Sequence, residues 1–269
     1  MKSRLLILLF SIIILGGLLA LGAEQTKHED SMGYTDTPIL PDGKWHVHDI
    51  NRPQPRKITG ATCSTQASVG VPPSDAEVLF NGKDLSKWRT EKGGSAAWTV
   101  RDGYMEVVPH SGDIYTREDF GPIQLHVEWR TPTPLKHERV YQGNSGIFLQ
   151  GAYELQVFES SVILIYADGQ AGAIYGQYPP LVNPSRDAGQ WQVFDLVFIP
   201  GRFKDGKFET PPYITVFQNG VLIQNHAAIM GDSGHRKLPA PVDHGPQGPI
   251  RLQDHSDLVR FRNIWVRRL

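Results

Sequence analysis

The chain has 269 residues, 40% hydrophobic and 20% charged, with a formal net charge of −1. That balance leaves no basic footprint for nucleic acid, and the single cysteine, Cys63, excludes an intrachain disulfide framework. The 27 Gly and 20 Pro favour a turn-rich all-β fold over a helical one.

Residues 1–23 read as a signal peptide. Lys2 and Arg4 precede the apolar run from Leu5 to Leu21, and Ala20-Leu21-Gly22-Ala23 offers small residues for cleavage. The run is slightly short for a span of about 20 residues. The expectation is a periplasmic or secreted protein with no membrane span after cleavage. Residues 24–74 hold six Pro, few large apolar residues and no periodicity, and read as an extended arm or linker. His46 and His48 form a His-x-His pair there that could bind metal.

From Asp75 to Leu269 the pattern is that of one folded domain. "EVLFNGKDLSKW" is a short apolar strand followed by a polar turn. "AAWTVRDGYMEVV" predicts a hairpin with Asp102-Gly103 at its turn. "IQLHVEWRT" alternates, with Leu125, Val127 and Trp129 on one face and Gln124, His126, Glu128 and Arg130 on the other. "NSGIFLQ", "YELQVF" and "WQVFDLVFIP" are further strands. "YITVFQNGVLIQN" predicts a hairpin on Asn219-Gly220, and "GPIRLQDHS" and "LVRFRNIWVRRL" close the chain. Ten or more strands without an amphipathic helix suit a two-sheet sandwich. Most of the tryptophans read as core.

Several strands put large functional groups on the face opposite the core: Glu128 and Arg130, Glu154 and Gln156, Arg251 and Gln253, with His255 next. Lys is absent from these positions. A curved sheet with a concave face would gather them into one groove. Glu154-x-Gln156-x-x-Glu159 resembles the E-x-D-x-x-E strand of retaining β-glucanases with a concanavalin-like jelly roll. Retention needs two carboxylates about 5 Å apart, whereas residues four or five apart on a strand have Cα atoms roughly 13–16 Å apart; a bulge would have to bring Glu159 back. Gln156 stands where those enzymes have Asp, which argues against a standard retaining mechanism. Tyr175 and Tyr178 in "AIYGQYPP" are loop aromatics suited to stacking on sugars. "GDSGH" (Gly231 to His235) mimics a serine-protease string but has no matching partners, and reads as a polar loop.

Taken together, "VLFNGKDLSKW", "FGPIQLHVEWR", "GNSGIFL", "YELQVFES", "AIYG", "GPIRLQDH" and "FRNIWVR", in that order, resemble the 3-keto-disaccharide hydrolase family, formerly domain of unknown function 1080. The resemblance covers about residues 76–269. It implies an all-β, concanavalin A-like jelly-roll sandwich of two curved antiparallel sheets in an exported bacterial carbohydrate-active hydrolase. It implies a carbohydrate substrate whose 3-hydroxyl a separate sugar 3-oxidoreductase has converted to a ketone. Cleavage would then run by elimination and hydration. On this reading Glu154, Glu128 and His255 are the catalytic candidates. Arg130, Asn144, Gln156, Glu159, Tyr175, Arg251 and Gln253 are the substrate-binding candidates, with Arg130 or Arg251 at the enolate oxygen. No cofactor is assigned, and a divalent metal ion could hold the enolate instead, with Glu128, Glu154 and His255 as ligands. The alternatives are a retaining hydrolase using Glu154 and Glu159, and a non-catalytic carbohydrate-binding module on the same sandwich.

Overall fold

The structure is a computed structural model that describes residues 33–135 and 142–269. The segment expected to be a signal peptide and the first part of the expected arm lie outside the described residues. The chain forms two compact units, one ending at Arg56 and one spanning Lys57–Leu269. In the first, Tyr34 bridges Asp49 and Ile39 bridges His46. His46 turns its Nδ1 to the carbonyl of Thr37, so this ring is engaged in the local turn.

Among the described residues the second unit carries fifteen strands: β1 (Glu77–Phe80), β2 (Trp88–Thr90), β3 (Thr99–Arg101), β4 (Tyr104–Glu106), β5 (Ile114–Thr116), β6 (Ile123–Arg130), β7 (Ser145–Leu149), β8 (Tyr153–Val157), β9 (Gln192–Ile199), β10 (Arg202–Lys204), β11 (Lys207–Thr210), β12 (Tyr213–Gln218), β13 (Val221–Ala228), β14 (Arg251–Leu252) and β15 (Arg260–Arg268). The larger sheet runs β13-β12-β9-β6-β15-β4-β3, with β1 also paired to β15. The smaller runs β2-β5-β14-β7-β8, and β10 pairs with β11. All of these pairings are antiparallel. The architecture is the expected jelly-roll sandwich. Among the described residues helix is confined to one 3₁₀ turn at Ala167–Gly169, and no helix is long and apolar enough to cross a membrane.

Alternation decides which side chains fill the space between the sheets. Leu125, Val127 and Trp129 of β6 meet Ile147 and Leu149 of β7 and Leu155 and Val157 of β8 in one buried cluster. Two-residue turns close the hairpins where the sequence places them. Asp102 and Gly103 take φ of 50° and 79°, and Asn219 and Gly220 take 51° and 83°, the left-handed pair such a turn requires. The β10–β11 hairpin uses Asp205-Gly206 in the same way. Trp88, Trp98 and Trp129 belong to the core cluster, whereas Trp265 stacks on His126 of the outer face, 4.9 Å between centroids.

The end of the expected arm is part of this unit. Thr59 with Ser74, Thr62 with Val71 and Thr65 with Ser68 are joined by backbone hydrogen bonds, so residues 59–74 double back as a loop with adjacent ends. It lies on the outer face of the larger sheet. The Gln66 side chain donates to the carbonyl of Trp191 and accepts from its N–H, at 2.9 and 2.7 Å.

Candidate active site

The five-stranded sheet presents its outer face to a groove of about 460 Å³. Strand register explains the lining. Arg251 of β14 lies between Tyr115 of β5 and Phe148 of β7, and Phe148 lies opposite Glu154 of β8. These four residues therefore form one row on one face. In the next row Gly146 stands opposite Gln156 and its carbonyl accepts from the N–H of Gln253 at 3.0 Å. Gly146 has no side chain to fill the middle of that row, and Glu154 leans over it. A Cβ there would stand 2.6 Å from Glu154 Oε1 and 2.7 Å from the Phe148 ring.

Glu154 is 7% exposed. Burial pushes its carboxyl up to about 8, opposed by the Arg251 guanidinium and assisted by the Asp113 charge. Arg251 lies over Phe148, with 3.5 Å from its guanidinium carbon to the ring centroid. Asp113 holds it from behind at 3.4 Å. Burial lifts the Asp113 carboxyl above its ordinary value, countered by the Asp254 N–H and by Arg251.

The groove holds buried polar atoms without partners. Among the described residues, Gln156 Oε1, Gln253 Oε1 and Arg251 Nε have no hydrogen-bond partner. Gln156 spends its amide nitrogen on the carbonyl of Gly169 at 3.2 Å. Two acceptors and a cationic donor in one cleft suit a ligand rich in hydroxyl and carbonyl groups. Asn144 and His255 complete this side of the lining.

Two loops form the opposite wall. Residues 172–175 run back along β8, where the Tyr175 N–H donates to the Glu154 carbonyl at 3.1 Å and Ile174 bridges Leu155. The phenol of Tyr175 bonds Tyr166 Oη and His235 Nδ1, each at 2.8 Å. Burial, joined by the Tyr166 bond and nearby negative charge, raises the Tyr175 phenol above its ordinary value. Ser233, beside His235 in the 231–235 loop, accepts from the Glu154 N–H at 3.0 Å.

Seven residues singled out in the sequence thus meet in one groove: Asn144, Glu154, Gln156, Tyr175, Arg251, Gln253 and His255. Three do not. Glu128 and Arg130 belong to β6 of the larger sheet, so they lie on the other outer face of the sandwich. There Glu128 is fully buried, accepting from Arg262 Nε at 2.7 Å, from Asn263 Nδ2 at 2.8 Å and from Ser64. A bulge in β15, with Asn263 at φ 46°, turns the consecutive Arg262 and Asn263 to the same carboxylate. Burial alone would raise the Glu128 carboxyl, but hydrogen bonds from His126, Ser64, Asn263 and Arg262 outweigh it and hold it at about 2. His126 is likewise opposed by burial yet raised to about 9 by Asp195 and Glu128. Arg130 lies over the rings of Trp191 and Tyr104. The expectation that these two join Glu154 is therefore corrected. Alternation identifies a non-core face but not which sheet's back it is.

Glu159 is the third. It follows the end of β8, and its carboxylate accepts from Thr131 Oγ1 at 2.5 Å and from the N–H of Ser161 at 3.0 Å. No bulge returns it to the groove, so the paired carboxylates of a retaining glucanase are not built. The suggested metal ligands also fail to assemble, because Glu128 is on the other sheet. Among the described residues no three His, Cys, Asp or Glu side chains form a metal-holding group. Sequence reasoning missed Phe148, Tyr166, Ser233 and His235. The last two sit in "GDSGH", whose neighbours in space no local pattern reveals.

Comparison with known proteins adds to this geometry. Residues 75–267 match the model of the 3-keto-alpha-glucoside-1,2-lyase-like domain. A candidate glycosyl hydrolase of Parabacteroides distasonis is similar in structure with a TM-score of 0.78 and 42% sequence identity, the match covering 87% of this chain and 100% of that one. A second candidate glycosyl hydrolase of the same organism shares the fold at 21% identity, with a TM-score of 0.53 over 72% of this chain and 94% of that one. Among curated proteins none matches.

Proposed function

This chain belongs to the 3-keto-alpha-glucoside-1,2-lyase-like domain family and is a glycoside hydrolase-like, carbohydrate-active enzyme; from that premise we propose that its groove cleaves 3-keto-glycosides by elimination followed by hydration. The observation that carries the reading is the pairing of a desolvated carboxyl, Glu154, with a fixed cation, Arg251, beside unfilled polar atoms.

The chemistry asks for that pairing. A ketone at C3 acidifies the hydrogen on C2, and deprotonation places negative charge on the C3 oxygen. Base and oxyanion holder must reach adjacent carbons, so they must be neighbours. Glu154 is the base, since a carboxylate stripped of water is a stronger proton acceptor than one in solvent. Arg251 holds the developing oxyanion, its guanidinium fixed by Phe148 and Asp113 before the substrate arrives. Gln156, Gln253 and Asn144 bind the remaining hydroxyls, and His255 lies at the exposed rim. The C1 oxygen then leaves, and water adds to the resulting enone. No carboxylate nucleophile is needed, which accommodates Gln156 and the remote Glu159.

In this reading the enzyme works outside the cytoplasm, and a separate sugar 3-oxidoreductase supplies the keto-sugar. The apolar run from Leu5 to Leu21 supports the first part. The test offers the purified chain both anomers of a glucoside and of its 3-keto derivative, and follows release of the aglycone. Turnover of the keto forms alone is the expected result. Turnover of the unoxidised glucosides would overturn the elimination, and glycan binding without turnover of either would point to a binding module.

A further inference from the structure

Elimination leaves one proton unaccounted for. Glu154 takes the C2 hydrogen and Arg251 holds the oxyanion, but an alkoxide leaving from C1 needs a proton donor. We propose that Tyr175, supported by His235 and Tyr166, is that donor, and so a further catalytic residue of the groove. This assignment rests on the function proposed above.

Position is the first argument. The N–H of Tyr175 is hydrogen-bonded to the backbone of Glu154, so the phenol is carried on the segment flanking the base. A second hollow of about 360 Å³ adjoins the groove and shares Tyr166, Tyr175, Gly234 and His235 with it. The Tyr–His wall thus separates two hollows. A two-part ligand with its sugar ring over Glu154 and its leaving group in the second hollow has its scissile oxygen at that wall. Hydrogen bonding is the second argument. Two partners at 2.8 Å meet the phenol oxygen. With both donating, the Tyr175 proton points to the ligand, and the phenolate left after transfer keeps two donors. Burial, the largest influence on this phenol, favours its neutral form, so Tyr175 carries its proton into the reaction.

The step balances. The C2–H bond breaks to Glu154, and its electron pair forms the enolate on Arg251. That enolate collapses to the C3 ketone, C1=C2 forms, and the C1–O bond breaks. The departing oxygen takes the Tyr175 proton. In hydration the phenolate takes a proton from water as the hydroxide adds to C1, and Glu154 returns its proton to C2. Both groups end as they began.

The test compares 3-keto-glucosides of an alkyl alcohol and of p-nitrophenol, which needs no proton to leave, and follows deuterium exchange at C2 in D₂O. Tyr175→Phe should slow release of the alkyl alcohol by 100-fold or more, slow release of p-nitrophenol by under 10-fold, and retain C2 exchange. Glu154→Gln should lose exchange. His235→Gln, at an exposed positioning residue, should show the same selectivity for leaving group on a smaller scale of about 10-fold. This second variant also guards against misfolding of the first. Equal losses on both leaving groups, or loss of C2 exchange in Tyr175→Phe, would overturn the assignment while leaving the elimination intact. Failure of the wild type to exchange C2 and to release either aglycone would instead remove the reading on which it rests.

Discussion

The carboxyl of Glu154 rests over Gly146, with Oε1 2.6 Å from the point where a Cβ on that glycine would stand. The absent side chain is what lets the base lean into the groove. Gly146→Ala should push Glu154 and the Phe148 ring aside. Because both are side chains able to shift, the fold should survive, while kcat/KM on the keto-glycoside falls on the order of 100-fold. Steady-state kinetics beside a melting curve would check it; full activity in the variant would mean that the placement of Glu154 is unimportant.

The raised Glu154 carboxyl sets the sign of the pH–rate profile. A base must be ionised, so kcat/KM should rise about tenfold per pH unit below 8 and level above it. A profile that declines above pH 8 would make Glu154 the acid of the reaction instead.

The same group makes stability depend on pH. Its carboxyl titrates near 4.5 ordinarily and near 8 in the fold. Between those values the folded state keeps a proton that the unfolded state has lost, so stability falls as pH rises through the window. Glu154→Gln removes the titration. Its melting temperature relative to wild type should therefore climb from pH 5 to pH 8, by an amount equivalent to a few kcal/mol. A constant difference across that range would show that the carboxyl ionises freely in the fold.

Glu128 makes a contrasting prediction. Glu128→Gln strips the counter-charge from Arg262 and His126 and should destabilise the fold by about 3–5 kcal/mol. At a temperature where it remains folded, the variant should turn over substrate within about threefold of wild type. Loss of turnover without loss of stability would return Glu128 to the catalytic set.

What could be read from the sequence was what strand alternation and turn chemistry control. Leu125, Val127 and Trp129 point inward, Asn219-Gly220 turns the hairpin, and Glu154 shares a face with Gln156 because they are two apart on one strand. Arg251 and Gln253 join them through cross-strand register. What escaped was set by non-local geometry. Glu128 alternates just as Glu154 does but on the opposite sheet, and the β15 bulge that supplies its partners leaves no pattern in "FRNIW". His235 reaches Tyr175 across sixty positions of chain, between loops with no periodicity to read.

The loop of residues 59–74 bears on how the protein can be dissected. The family match begins at residue 75, yet Ser64 donates to Glu128 and the carbonyl of Thr65 accepts from Arg262 at 2.6 Å. A fragment started at the homology boundary would uncover a fully buried carboxylate and remove its Ser64 hydrogen bond, so the family module and the folding unit begin at different residues. Fragments begun at residue 57 retain the whole outer-face network; those begun at residue 75 would carry the intact groove on a sheet whose reverse side has been opened to water.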